Sequence, residues 1–184
     1  MKKVLLFLIC LLMAAGCAAP NEVELKTTEA DMTPFIWIRG ETADFRQTTW
    51  TEVIRLFTEK GTGVVYYGYK DCAYCQRAVP ELNEAAKENG AVIYYVDVHG
   101  EEQPDEEQFN QLMELIDKTL DHDENGEPLF YVPYVIGIRN GKIQGSHTSL
   151  VDGFKPQDAS DQLSDEQRAR LRGIFSDIIS KTFR

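Results

Sequence analysis

A chain of 184 residues with 43% apolar and 10% aromatic side chains has room for a leader and one ordinary domain with its own core. Its formal net charge of −11, from 30 acidic against 19 basic residues, argues against nucleic acid as a partner.

In chain order, residues 1–16 read as a lipoprotein signal peptide. Lys2 and Lys3 precede an apolar run over 4–13, and Ala14, Ala15 and Gly16 stand before Cys17. The run is too short to span a bilayer permanently. Small residues directly before a cysteine resemble the bacterial lipobox, with Ala14 where leucine is more usual. That resemblance implies cleavage before Cys17, lipidation of Cys17 and a lipid-anchored place on the extracytoplasmic face of a cell membrane. An ordinary signal peptide with Cys17 incidental is the alternative. Cys10 lies inside the leader, so with Cys17 lipidated only Cys72 and Cys75 remain as thiols. Outside the cytoplasm their resting state depends on a dedicated electron donor or acceptor.

Residues 17–33 are polar and acidic without apolar periodicity, which predicts a flexible membrane-proximal linker and leaves 34–184 as the domain. Phe35, Ile36, Trp37 and Ile38 read as a first strand. Thr48 or Thr49 caps a helix with Trp50, Val53, Ile54 and Phe57 inward. A second strand over 64–67 is apolar throughout, as a central strand should be. Cys72 and Cys75 then open a helix that runs to about Asn89, with Gly90 as its stop. A third strand spans 91–97, and a helix over 106–120 turns Phe109, Leu112, Met113, Leu115, Ile116 and Leu120 to the core. Residues 134–138 and 143 onward form a hairpin through Asn140 and Gly141. The last helix is capped by Ser164 and buries Leu171, Ile174, Phe175, Ile178 and Ile179.

Two cysteines separated by two residues at a strand-to-helix junction suit dithiol–disulfide chemistry. Unpaired backbone N–H groups and the helix dipole favour the Cys72 thiolate, as does Lys70, whereas Asp71 opposes it. The element order, with Pro80 eight residues beyond Cys72 and Pro133 before the hairpin, resembles the thioredoxins from residue 35 onward. The resemblance implies an α/β thioredoxin fold with a central mixed β-sheet flanked by helices. It also implies Cys72 and Cys75 as the catalytic pair of a thiol-disulfide oxidoreductase, and a cis peptide bond at Pro133. Ala73, Tyr74, Val132 and Pro133 become the substrate-docking residues, with no metal or organic cofactor. The implied partners are proteins with thiols or disulfides and a membrane redox partner, met by a monomer. Residues 66–75 and the Tyr-Tyr-Val-Asp of 94–97 also resemble bacteriocin transport accessory proteins, a group of small thioredoxin-like proteins.

The chain departs from typical thioredoxins in three places. Ala73 and Tyr74 replace the usual Gly-Pro between the cysteines, which leaves reduction, oxidation and isomerisation open. The buried aspartate of thioredoxins falls near Tyr66, so no internal base for Cys75 is evident. The acidic stretch 99–128 is longer than a minimal thioredoxin needs. Competing readings are a structural disulfide, a zinc site completed by two of His99, His122 and His147, and a thioredoxin-fold interaction module without turnover, for instance beside an exporter. Residues 121–126 match half of a calcium loop, but Val132 stands where the bidentate glutamate belongs and Pro128 interrupts it, so an acidic turn is the expectation.

Overall fold

The computed structural model describes residues 19–184; the expected leader 1–16 and Cys17 lie outside the described residues. In chain order, short strands β1 (Thr28–Glu29) and β2 (Phe45–Gln47) lead into α1 (Trp50–Thr58), β3 (Gly63–Gly68), α2 (Ala73–Asn89) and β4 (Ile93–Asp97). After α3 (Glu106–Ile116) come a small hairpin of β5 (Asp121–His122) and β6 (Pro128–Leu129), then β7 (Tyr134–Arg139), β8 (Lys142–Thr148) and α4 (Asp165–Phe183).

All six residues of β3 are buried. A strand with no polar position must lie between two covered faces, and β3 has β4 on one side and β7 on the other in a sheet ordered β1-β2-β4-β3-β7-β8. β2, β4 and β3 run parallel, whereas β7 is antiparallel to β3 and β8 to β7. Period-two alternation sends Val64 and Tyr66 into a core shared with α2 and α4, and Val65 and Tyr67 into a second core shared with α1 and α3. This mixed sheet with two helical layers and a cysteine pair at the start of α2 is the thioredoxin fold.

The helix ends follow local chemistry. The Thr49 side chain accepts from the Glu52 N–H at the start of α1, and Asp105 and Ser164 each complete a reciprocal capping box, with Gln108 and Gln167. Gly90, in the left-handed region at φ 60°, closes α2. Asn140 and Gly141, both at positive φ, turn β7 into β8.

Four expectations change. Phe35, Ile36, Trp37 and Ile38 form turns rather than a strand, with the Ile38 N–H donating to the Phe35 carbonyl at 3.1 Å. Only Phe35 of the four is buried, and the place beside β4 goes to Phe45–Gln47, a segment too short and polar to show a period. Residues 21–33 do not form a free spacer. Leu25 and Met32 are buried, β1 extends the sheet, and Asn21 bonds to Asn140, Glu59 and Lys60. The third helix stops at Ile116, and a 3-10 turn over Asp117–Thr119 follows. Phe109 is 37% exposed and leans on Trp50 at 6.1 Å between ring centres instead of entering the core.

α2 and α4 are joined through one buried carboxylate. Glu81 receives Arg168 at 3.1 Å and Arg172 at 2.8 Å, both arginines reaching across from α4. Glu81→Ala takes the shared partner from both guanidinium groups, leaving Arg172 with Glu88 at 3.6 Å, and should lower stability by about 1–2 kcal/mol in urea unfolding, with little change in slope.

On β8, burial holds His147 below the ordinary imidazole pKa, assisted by Arg170 and opposed by the Leu150 backbone and Asp152. Its ring lies 5.9 Å from Phe175. As pH falls through about 6.5 the unfolded chain takes up a proton that the native chain resists, so stability should decline below that pH. His147→Gln should flatten the stability profile between about pH 7 and 5.5, measured by denaturant midpoints.

Candidate active site

β3 delivers the chain to Lys70 and Asp71, which pair with each other at 2.8 Å. Both are well exposed, so solvent screens the pair. Cys72 is the N-cap of α2, in extended backbone, and its Sγ accepts the Cys75 N–H at 3.0 Å. A sulfur thus occupies the acceptor position that a serine or aspartate oxygen takes at an ordinary helix start. Cys72 and Cys75 are joined as a disulfide with their Cα atoms 5.1 Å apart. Cys72 retains 6% exposure and Cys75 none. Of the two cysteines only Cys72 retains any contact with solvent.

Two residues that the sequence reading passed over hold this turn in place. The Gln76 side chain donates to the carbonyls of Lys70 at 2.6 Å and Pro34 at 2.8 Å, and accepts from the Ile36 N–H at 3.2 Å. This explains why residues 34–38 abandon the sheet: they are pinned beside the cysteine turn, leaving Ile36 71% exposed there. Arg77 is buried and reaches four backbone carbonyls, those of Ala73, Asp158, Ala159 and Asp161, at 2.6–3.0 Å. Loop 157–161 is thereby fastened to the first turn of α2. The burial of Arg77, like that of Glu81 and Asn83 on the same helix, is legible only once the helix is placed in the fold.

The Val132–Pro133 peptide bond is cis. Tyr134 pairs with Tyr67, so residues 131–133 approach the same sheet edge that β3 leaves for the cysteine turn. The Pro133 carbonyl accepts the Ser149 N–H at 2.8 Å, which ties this corner to β8. Pro133 itself is buried and supports the corner from within, rather than presenting a surface. Val132 is half-buried and packs on the core containing both cysteines; Tyr131, not foreseen, is 53% exposed. Ala73 is exposed and Tyr74 half-buried on the first turn of α2.

In the core with both cysteines lies Tyr66, wholly buried, its ring stacked on Tyr95 at 5.3 Å and edge-on to Phe35 at 6.4 Å. Its hydroxyl has no hydrogen-bond partner among the described residues. Burial, reinforced by Tyr95 and Asp97, pushes its pKa well above the ordinary phenol value. It stays protonated at neutral pH and is not a base.

The three histidines are apart. His99 stacks on Tyr69 at 3.8 Å, His122 Nε2 meets Asp117 at 2.9 Å, and His147 lies on β8. Among the described residues no group of three or more His, Cys, Asp or Glu side chains is placed to hold a metal. Residues 123–126 form the tip of the β5–β6 hairpin, where the Asp123 carboxylate accepts the N–H groups of Asn125 and Glu127, each at 2.8 Å. These bonds, that from Glu127 foremost, hold its pKa below the ordinary value. Its oxygens serve the turn.

No protein-family model matches the chain. No curated protein matches it either. Among solved structures it is similar to oxidised thioredoxin O2 of Arabidopsis thaliana, at 14% identity over 77% of this chain and 96% of that one, with a TM-score of 0.42. It is also similar to a chloroplastic thioredoxin z at 15% identity, over 74% and 96%, with a TM-score of 0.38. A thioredoxin of Aeropyrum pernix gives 18% over 54% and 71%, with a TM-score of 0.36. The fold itself is read from the strand order and the placement of the cysteines, independently of these likenesses.

Arg77→Ala removes the fastening between α2 and loop 157–161. Amide exchange in that loop should quicken at least about tenfold, and global stability should fall by about 2–3 kcal/mol. Unchanged exchange with lowered stability would place the role of Arg77 in packing alone.

Proposed function

We propose that the protein is a thiol-disulfide oxidoreductase, lipid-anchored through Cys17 on the extracytoplasmic face of a cell membrane and related to bacteriocin transport accessory proteins. The observation that carries the activity is the Cys72–Cys75 disulfide at the N-terminus of α2, with only Cys72 reachable. A disulfide between residues three apart closes too short a loop to constrain the unfolded chain much, which favours a redox over a structural role. The anchor is supported by the leader pattern ahead of Cys17.

In the reducing direction the Cys72 thiolate attacks one sulfur of a substrate disulfide. The new Cys72–substrate bond forms as the substrate bond breaks, and the departing thiolate takes a proton from water. The Cys75 thiolate then attacks Cys72 Sγ, closes the ring and releases the second substrate thiolate. Two electrons pass to the substrate, and a membrane redox partner returns them as a dithiol donor. The same steps reversed oxidise a substrate dithiol. Ala73, Tyr74, Val132 and the exposed Tyr131 flank the sulfur that substrate meets, over the support of Pro133. Tyr66, being protonated, is no base, and water or the partner deprotonates Cys75.

Cys75→Ala should accumulate mixed disulfides with partner proteins and Cys72→Ala should not; the reverse pattern overturns the assignment of roles. The pair should equilibrate with glutathione or dithiothreitol buffers without unfolding. A potential near about −270 mV assigns a reductant, and one near about −120 mV an oxidant. A pair inert until the domain melts replaces the enzyme with a tethered interaction module. Fatty-acid labelling lost in Cys17→Ala, with release from the membrane fraction, tests the anchor.

A further inference from the structure

Resting on the oxidoreductase reading, we propose that the Cys72–Cys75 site serves cysteines carried in Lys- and Arg-rich polypeptide segments, held on the surrounding loops by charge. Gly68 pairs with Asp97 and Tyr67 with Tyr134, so β3 and β4 end, and β7 begins, at one edge of the sheet. Thr148, at the end of β8, pairs with Tyr134 and lies there too. Segments 25–27, 68–72, 98–107, 117–133 and 149–163 therefore gather at the cysteine edge. Together they hold fourteen Asp and Glu against four Lys and no Arg. At the opposite edge, segments 19–24, 40–44, 59–63, 89–92 and 139–142 hold five acidic and three basic residues. The charge of the molecule is concentrated at the pole that carries the disulfide.

The cations of the helices do not offset it. Arg168 and Arg172 are engaged with Glu81, Arg55 with Glu52 and Glu59, Lys87 with Glu84, and Lys70 at the site itself with Asp71. At the same end of the sheet, two residues before Pro133, stands Tyr131, more than half exposed, whose ring face suits a guanidinium or ammonium. A second copy of this chain and an anionic membrane surface are both repelled from such a pole, which leaves a cationic polypeptide as its occupant. A field of one sign around a site raises the encounter rate of an oppositely charged partner by about 10- to 1000-fold at low salt and fades as salt rises.

The test uses the full chain with dithiothreitol as the dithiol donor and three disulfide probes: a Lys-flanked peptide, a Glu-flanked peptide and neutral bis(2-hydroxyethyl) disulfide. Each rate is normalised to uncatalysed exchange with dithiothreitol. The Lys-flanked probe should exceed the Glu-flanked one at least about tenfold in kcat/KM at 20 mM salt, narrowing to about twofold at 0.5 M. The neutral probe should be insensitive to salt. Replacing the rim charges, E101K with E102K and E124K with E127K, should close the gap while leaving the neutral probe unchanged. Equal rates on the two peptides, or a preference unmoved by salt and by these substitutions, overturn the proposal and leave the oxidoreductase reading intact. Exchange with none of the three probes overturns both.

Discussion

Strand β3 has no solvent face, and the candidate site hangs from its C-terminal end. Burial of Gly63–Gly68 between two helical layers leaves no freedom to slip, since a shift of one residue would exchange Val64 and Tyr66 with Val65 and Tyr67 between unlike cores. That fixed register decides where the cysteine turn emerges. β4 and β7, paired to either side, bring their own loops to the same edge. The close approach of α4 to the sheet follows the same logic: a Cβ at Gly137 of β7 would meet the Thr182 side chain, and would stand only 3.0 Å from Ile178 Cγ2. Helix α4 can therefore lie tight against β7 and receive Glu81 from α2.

Much of this was legible in the sequence because it depends on local pattern. The apolar run at 64–67, the cysteine turn, the Gly90 stop, the Asn140-Gly141 turn and the Ser164 capping box each carry their chemistry within a few residues. What escaped was decided by distant partners. Phe45–Gln47 is a strand because β4 had an open edge, not because its own three residues announce one. Residues 21–33 look solvated by composition, yet a few anchors, Asn21, Leu25 and Met32, suffice to hold them. Phe109 fits the helical period but stops at the rim, where the Trp50 ring already covers the core.

At the site the same division holds. The cysteines and Pro133 could be named from spacing and resemblance, whereas Gln76 and Arg77 could not, because their partners are backbone carbonyls whose positions no side-chain pattern encodes. These two make the irregular segments around the disulfide as determined as the sheet itself. Tyr66 gives the site an uncommon interior: an aromatic hydroxyl kept neutral by burial in the core that holds both sulfurs. A phenol held neutral there carries no charge to the sulfurs and takes no proton from them.

The docking of Asn21 onto Asn140, Glu59 and Lys60 places the entry of the described chain at the β7–β8 turn, on the sheet edge away from the cysteines. Six residues of β3 separate the two edges, about 20 Å of extended backbone. A contact made at Asn21 therefore meets the domain on the side opposite the sulfurs, one strand-length away from them.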